Sequence, residues 1–501
     1  MNLHQLDFEE TKLFSPIFLD YIANKNDLRP FYAYRPDINS FGEAIANRNF
    51  DDSKRPDLVG ALQSQYQGLE MSAALSHNIT QLSAHNTFTI TTGHQLNIFT
   101  GPLYFIYKIV ATINAARQLN KQYPQQHIVP VYWMATEDHD FEEINHINLF
   151  GKKHVWESEE QGPVGKFKTS SLREMLSTIE GLPDFVTKAY TSQQDLAAAT
   201  RYLVNQLFGE QGLVVLDAND KHLKAHFRHI IKDDLVAHSA HRHATASSER
   251  LEDKGYKNQI FPRPINLFYM EPGVRERIEE HNGNYQVLNS AVAWSKTEIE
   301  SIIAEKPEKF SPNVVLRPVY QETILPNLAY IGGPAELAYW LQLKSVFDHF
   351  QLPFPVLLPR SFALIVPKAI STKLLKLELE VKDVFDDFDS LKEKVLYKDR
   401  EPQHDLSSEI AEIENIFRKI VSKAANIDKS MEGYVLSEHA KVEKEMLNMQ
   451  KRLKKAEEQR EEIQIKQLQS ILAKLFPNGH PQEREDNFLN FSSTILSLFW
   501  S

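Results

Sequence analysis

The stretch Phe88-Thr89-Ile90-Thr91-Thr92, then Gly93-His94-Gln95-Leu96-Asn97-Ile98-Phe99-Thr100-Gly101-Pro102, then Ile128-Val129-Pro130-Val131-Tyr132-Trp133-Met134-Ala135 decides the fold. The first five residues are β-rich and stop at Gly93. Pro102 follows Gly101 and takes a favoured first position for a helix. Apolar residues recur at Leu103, Ile106, Tyr107, Val110 and Ile113 with helical spacing. That helix should end near Asn120, before Pro124. The second apolar run suits a strand buried on both faces. Strand, helix, strand at this spacing is a βαβ unit with parallel strands and a right-handed crossover. In open parallel sheets ligands bind beyond the carboxyl ends of the strands. The loops after Thr92 and Ala135 should therefore lie side by side on one rim.

Outward from this unit the parallel-sheet signal returns. Gly212–Asp217 reads as a buried strand ending on an acid, with a helix from about Lys221. Asn327–Ile331 is another strand, stopping at Gly332-Gly333-Pro334 and opening a helix to about Phe350. Val356-Leu357-Leu358 ends at Pro359-Arg360. Residues 1–85 read as a helical region packing on the core, with loops at Arg35-Pro36-Asp37 and Asp51–Asp57. Leu62, Tyr66, Leu69, Ala73 and Leu75 approximate one helical face there. Residues 86–150 form the first half of the core and 314–370 the second. Between them, 151–313 read as an insertion plus a core strand, with short strands over Val155–Thr169 and a helix over Leu182–Phe208. Residues 371–475 are long charged helices, and 476–501 a tail returning to the core. Between Glu438 and Lys466 there are eight Lys or Arg and seven Glu. The stripe Val442, Met446, Met449, Leu453, Ala456 and Ile463 has heptad spacing, so a coiled coil that pairs two chains is expected.

Composition removes several classes. Of 501 residues, 42% are apolar, 25% charged and 10% aromatic, which excludes a disordered or collagen-like chain. There is no cysteine, so disulfides, a thiolate nucleophile and Cys-ligated metal sites are out. A net charge of −11 and a balanced helical arm argue against nucleic acid as a partner. No window approaches the ~20 apolar residues of a membrane span. The nearest, Val356–Ile370, is interrupted at Pro359, Arg360 and Pro367. The start, MNLHQLDFEETKLF, lacks the pattern of a secretory signal. A soluble, cytoplasmic protein without membrane contact is expected.

Three rim elements can carry chemistry. Around Gly93, His94, Gln95 and Gly101, glycines before a helix N-terminus let backbone N–H groups approach an anion. The same pattern suits a tight turn whose glycines serve only geometry. Lys108, on the second turn, is expected at the surface. The second element, Glu137-Asp138-His139-Asp140, ends an apolar strand. Carboxylates this close repel, so they face water or hold a cation, a proton or an amine. His139 can act as base or donor with Asp138 or Asp140 orienting its ring, and Asp140 can instead cap a following helix. A divalent cation there is possible by charge, though the spacing matches no metal motif. The third element is Gly332-Gly333-Pro334-Ala335-Glu336, a second cradle in which Glu336 can accept from ribose or pair with an amine. Tyr339 and Trp340 follow it, and Arg317, Gln321 and Glu322 precede it. Arg317 suits a buried ion pair or a substrate-carboxylate clamp, and Arg360 ends its own strand at the same rim. No P-loop, G-x-G-x-x-G or G-x-S-x-G pattern occurs. His222, His226 and His229 resemble metal ligands on a helix face, against a simpler reading as a solvated face.

TTGHQLNIFTGPLYFIYK, PVYWMATEDHDFEEINH and LRPVYQETILPNLAYIGGPAELAYW together resemble the bacillithiol biosynthesis cysteine-adding enzymes. So does the tail Pro477-Asn478-Gly479-His480-Pro481-Gln482-Glu483-Arg484. The resemblance runs the whole chain. At His94 the family often has glutamine, so His94 is not read as an indispensable proton carrier. The resemblance implies an α/β fold: a Rossmann-type parallel sheet core with connecting-peptide insertions and a C-terminal α-helical coiled-coil domain. That core is related to class I aminoacyl-tRNA synthetases. Gly93–Gln95 would resemble their HIGH-type signature and Gly332-Gly333 their ribose-binding glycines. The acid usual after the second glycines is not in place, and no KMSKS-type loop occurs. The implied reaction joins L-cysteine to glucosaminyl-malate by an amide bond, with ATP activating the cysteine carboxylate and Mg²⁺ a possible companion. No resident metal site is implied. Gly93, His94, Gln95, Gly101, Gly332, Gly333 and Glu336 would meet the nucleotide. Glu137, Asp138, His139 and Asp140 would hold the cysteine ammonium or deprotonate the acceptor amine. Lys108, Arg317, Gln321, Glu322, Tyr339 and Arg360 would bind substrate. Two other readings stand beside this one: a nucleotidyltransferase or hydrolase using the acidic loop for Mg²⁺, and a non-catalytic coiled-coil adaptor.

Overall fold

The computed structural model describes residues 3–398 and 402–491. The expected contents of 492–501 lie outside the described residues. The chain divides into two compact units, one of residues 14–363 with 482–501, the other of residues 1–13 with 364–481.

The first unit is built on five strands: β1 (Thr87–His94), β2 (His127–Met134), β3 (Val214–Asp217), β4 (Asn327–Gly332) and β5 (Val356–Pro359). Their spatial order is β5-β4-β1-β2-β3, with every neighbour parallel. This is a doubly wound sheet whose strand order reverses between β1 and β4. β1 lies at the centre and is buried over seven of its eight residues. Three of its four threonines are accommodated there because their hydroxyls bond within the sheet. Thr89 and Thr91 donate to Asn327 Oδ1 at 3.1 and 2.8 Å, and Thr92 donates to the Ile331 carbonyl at 2.8 Å.

Helix α1 (Tyr104–Gln122) crosses over between β1 and β2. It starts two residues after Pro102, which instead bridges to Asn487 in the C-terminal tail. Ile106, Ile109 and Ile113 of α1 are buried on the sheet, each contributing about 1.5–3 kcal/mol. A core of Phe41, Phe88, Ile90, Leu119, Ile128, Leu328, Ile331 and Val356 spans strands and flanking helices.

Several local expectations give way. Asp51–Asp57 is not a loop; a 3₁₀ turn at Asp52–Lys54 leads directly into a helix from Arg55 to Gln65. The apolar face read through Leu75 belongs to two helices, the second being Ala73–Gln81. Residues Val155–Thr169 carry no strand pair; the hairpin lies earlier, at His146–Leu149 and Lys152–Val155. Leu182–Phe208 is two helices, Asp184–Ser192 and Leu196–Phe208. The helix expected from Gly333 to Phe350 breaks after Trp340. There the buried Gln342 amide ties the turn to Ser248 Oγ and the Ile260 carbonyl at 2.7 and 2.9 Å.

Between β3 and β4 an antiparallel sheet orders Phe310–Pro312, Leu267–Glu271, Val274–His281, Asn284–Val287 and Ala293–Ser295. The second unit has its own core of Ile370, Leu374, Leu391, Leu468, Ile471 and Leu475. Its helices Ser407–Ile427 and Met431–Arg460 pack along each other. The heptad stripe is interrupted at Glu461, so Ile463 belongs to the next helix, Glu462–Leu475. Among the described residues no helix is long and apolar enough to cross a membrane.

Candidate active site at the strand ends

The carboxyl ends of β4, β1, β2 and β3 form one rim, and the strand order reverses between β4 and β1. Such a reversal opens a crevice where open α/β sheets bind ligands. On its β1 side, Gly93 packs closely against β4: a Cβ there would meet the Tyr330 hydroxyl at 3.2 Å. Helix α2 (Arg317–Ile324) and helix α3 (Pro334–Trp340) flank the crevice.

Lys108 of α1 is buried, not at the surface. Its ammonium donates to the Gly93 carbonyl at 2.5 Å and pairs with Glu336 at 2.7 Å. Glu336 also accepts from Tyr330 Oη at 2.6 Å and from the Gly333 N–H at 2.8 Å. Burial alone would raise its carboxyl; Lys108 and these donors outweigh it and hold the acid below its ordinary value. The Gly333 N–H is therefore spent on Glu336, and the charge of Glu336 is balanced by Lys108. His94 is half-buried against Tyr104 and Phe105, with ring centroids 5.2 and 5.0 Å away. Burial, with the Lys108 ammonium nearby, pushes His94 down to about 3, so it stays neutral at neutral pH.

The loop from β1 to α1 is strained and plugged. Phe99 and Thr100 are buried with φ of 53° and 69°, and Gly101 follows at 61°. Conformations of this kind persist only where surroundings over-determine them. Here the Tyr190 hydroxyl accepts the Phe99 N–H at 2.6 Å, and Asn487 Nδ2 donates to the Phe99 and Gly101 carbonyls at 2.8 and 2.6 Å. The Leu103 N–H at the head of α1 donates to the Asp486 carbonyl at 2.9 Å. The anion cradle expected at this helix start is thus filled by the chain's own tail, and Gly101 serves geometry.

Two further expected contacts resolve differently. Arg360 makes a bidentate pair with Glu483, Nη1 at 2.9 Å and Nη2 at 2.5 Å. Its fork is already occupied and is not open to a substrate carboxylate. Gln321 and Glu322 are buried at 0% and 1% exposure and lie behind the rim. Gln321 Oε1 accepts from Arg317 Nη1 at 3.0 Å, and Gln321 Nε2 donates to Glu322 Oε1 at 3.0 Å. Gln321 thus holds Arg317, while Glu322 pairs with Arg48 at 3.1 Å. Arg317 stacks over Tyr330 at 5.2 Å and Trp133 at 5.8 Å, with Tyr339 beside it. Its Nη2 is buried with no hydrogen-bond partner.

The acidic end of β2 is neutralised by cations that sequence reading missed. Glu137 pairs with the fully buried Lys224 at 2.7 Å, and Lys224 also donates to the Phe310 carbonyl at 2.6 Å. Arg275, from the antiparallel sheet, stacks on Phe268 at 4.0 Å and reaches the same loop. Its Nη1 lies 3.5 Å from Asp138 Oδ1 and 2.6 Å from His139 Nδ1. A guanidinium only donates, so His139 Nδ1 is the acceptor and Nε2 carries the hydrogen. Asp138 accepts from the His139 N–H at 2.8 Å and from Gln95 Nε2 at 2.9 Å. Burial alone would raise Asp138; His139, Arg275 and Gln95 outweigh it and hold it well below the usual carboxylate range. Gln95 also donates to Glu143 Oε2 at 2.6 Å, tying the first rim loop to the second. Thr136 donates to Asp217 Oδ1 at 2.5 Å at the end of β3. Gly165 lies so close beneath this loop that a Cβ would meet the Thr136 carbonyl at 2.7 Å.

Asp140 is exposed and outside this cluster. It caps no helix: residues 141–145 are turns leading to the strand at His146, and its carboxylate accepts only a long 3.4 Å bond from the Glu143 N–H. The acids do not converge, and among the described residues no three His, Asp or Glu side chains are grouped to hold a metal ion. His222, His226 and His229 do not share a helix face either, because the helix breaks between Ala225 and Arg228 and His226 bonds Asp57 at 2.8 Å.

Fold and site together define a Rossmann-like α/β enzyme core with polar chemistry at the strand ends. Residues 1–361 match the family domain described as Bacillithiol biosynthesis BshC, N-terminal Rossmann-like domain. Residues 363–495 match Bacillithiol biosynthesis BshC, C-terminal coiled-coil domain. The chain therefore belongs to the bacillithiol biosynthesis BshC family and is a ligase of that family. A relative from Flavobacterium psychrophilum is 41% identical over 501 residues, covering 96% of this chain and 93% of its own. One from Cytophaga hutchinsonii is 40% identical, covering 98% and 94%. One from Bacillus cereus is 27% identical, covering 93% and 91%. All three carry the name "Putative cysteine ligase BshC".

Proposed function

We propose that this protein joins the carboxyl group of L-cysteine to the amine of glucosaminyl-malate, with ATP activating the carboxylate. The observation that carries the reading is the cluster of Asp138, His139 and Arg275 at the end of β2, in a chain of this family. Asp138 is kept ionised, and its Oδ2, which receives only Gln95, has lone-pair capacity left for an ammonium group. His139 presents an Nε2–H to the rim, so its role is to donate to a carboxyl or phosphoryl oxygen rather than to take a proton. Arg317, with an unpartnered Nη2, is the cation left at the crevice for a carboxylate or phosphate.

The ATP half is separable from the substrate half. Both glycine segments spend their nearest N–H groups within the protein, so a nucleotide would be held through side chains and not through a phosphate cradle. Pairing of two chains through the helical arm is part of the proposal. It is supported by the exposure of Leu447, Met449, Leu453 and Ile463. We place the reaction in the cytoplasm.

Incubation with cysteine, glucosaminyl-malate and ATP, reading product mass together with released AMP or ADP, tests both halves. Ligated product with nucleotide turnover is expected. Absence of product overturns the substrate assignment; product without turnover overturns the ATP half alone.

A further inference from the structure

Beside the crevice lies a cavity of about 200 Å³ that none of the roles above uses. Asn97, Tyr104, Glu143, His146, Arg484 and Glu485 are among its lining residues. Tyr104 is a shared wall, since the same ring packs 5.2 Å from His94 at the switch between β1 and β4.

The lining has a chemical bias. Asn97 is 7% exposed. Its Nδ2 is fixed by the Glu143 carbonyl at 3.1 Å, while its Oδ1 is buried with no hydrogen-bond partner. A buried acceptor without a donor is unfavourable unless a ligand or water supplies one. The exposed Glu143 carboxylate receives Gln95 on Oε2, which leaves Oε1 for a further donor. Glu485 adds a second carboxylate, placed by Asn148 Nδ2 at 3.1 Å. Against these acceptors stands one guanidinium, Arg484, which is exposed and has no hydrogen-bond or ion-pair partner among the described residues. A wall rich in acceptors with a single free cation fits a ligand rich in hydroxyl and amine donors that also carries an anionic group. The volume is below the roughly 300–1,000 Å³ of sites for drug-sized ligands and suits a single sugar ring.

We propose that this cavity is the acceptor subsite of the ligase. Its acceptors take the hydroxyls and amine of an amino sugar, and Arg484 takes a carboxylate attached to that sugar. The assignment to glucosaminyl-malate rests on the function proposed above; the chemistry of the lining does not. Gln95 spans from Glu143 at 2.6 Å to Asp138 at 2.9 Å, so an amine held at Glu143 lies one side chain from the reactive cluster.

The test compares Arg484→Gln and Glu143→Gln with the wild type, both positions being exposed, with thermal melts to verify folding. Glucosaminyl-malate and D-glucosamine are titrated calorimetrically, and KM is measured for each substrate of the ligation. Arg484→Gln is expected to weaken glucosaminyl-malate at least tenfold and leave D-glucosamine unchanged. Glu143→Gln is expected to weaken both. In each variant the KM for glucosaminyl-malate rises while that for cysteine stays within twofold. Ligation with an unaltered acceptor KM in both variants overturns the subsite and leaves the reaction standing. The expected binding pattern without ligated product supports the subsite and overturns the ligase reading.

Discussion

The crevice between β1 and β4 and the acidic end of β2 are built from the same device and end differently. Each sets a strand-end or helix-start carboxylate against a buried lysine 2.7 Å away, Glu336 with Lys108 and Glu137 with Lys224. At the crevice the acid also accepts from Tyr330 and the Gly333 N–H, so three donors of the fold converge on it. At β2 the lysine absorbs only the first acid of the run. Asp138 and His139 remain 28% and 47% exposed, with Arg275 in contact with both. A carboxylate at a strand end is structural once the fold supplies its own lysine. Reactivity is left where an ionised acid and an imidazole still face water.

The largest expected effect is at that exposed pair. Asp138→Ala or His139→Ala should lower kcat/KM for ligation about 10²–10³-fold, the range for removing a group positioned against reacting charge, with an unchanged circular dichroism spectrum. Undiminished ligation in both variants removes the β2 end from the chemistry and reverses the contrast. Next come the lysines. Lys108→Met or Lys224→Met leaves a half-buried carboxylate without its cation and should cost about 1–3 kcal/mol in urea unfolding. The double change Lys108→Met with Glu336→Leu should recover most of that loss, because replacing both partners of a buried pair is often neutral. If the double variant stays as unstable as the single one, the pair is not the closed structural unit described here.

The sheet was legible because β2, β3 and β4 are buried on both faces and so read as unbroken apolar runs, each stopping at an acid, a glycine or a proline. From those runs the topology rule alone brings the Gly93, Glu137 and Gly332 loops to one rim. What was not legible depends on pairing across distance. Lys108 looks like a surface lysine because nothing near it in sequence shows that Glu336 arrives from another strand. Arg275 reaches His139 across 136 positions, and Glu483 reaches Arg360 across 123. Asp140 was grouped with Asp138 by adjacency, but the turn that follows directs the two carboxylates to different surroundings. The break after Trp340 was hidden because the Gln342 amide acts through Ser248 and Ile260, which no local periodicity encodes.

The smallest expected effect probes the support behind Arg275. The sheet that carries Arg275 is anchored through Asp234, on the helix Arg228–Val236, which is fully buried. Its oxygens accept the Asn266 N–H at 2.6 Å and Asn266 Nδ2 at 3.2 Å, one residue before the strand Leu267–Glu271. Burial pushes this carboxyl from 3.8 up to about 7, against the Asn266 bonds that lower it. A group with a raised folded-state value binds protons more tightly folded than unfolded. Its contribution is therefore complete below about pH 3.8 and is lost as pH rises through 7. The urea stability of the wild type relative to Asp234→Asn should fall steadily between pH 4 and pH 7.5. A difference that instead grows with pH would mean that Asp234 is held ionised by its Asn266 donors. The anchor of the Arg275 sheet would then strengthen over the same range in which the β2 cluster is charged.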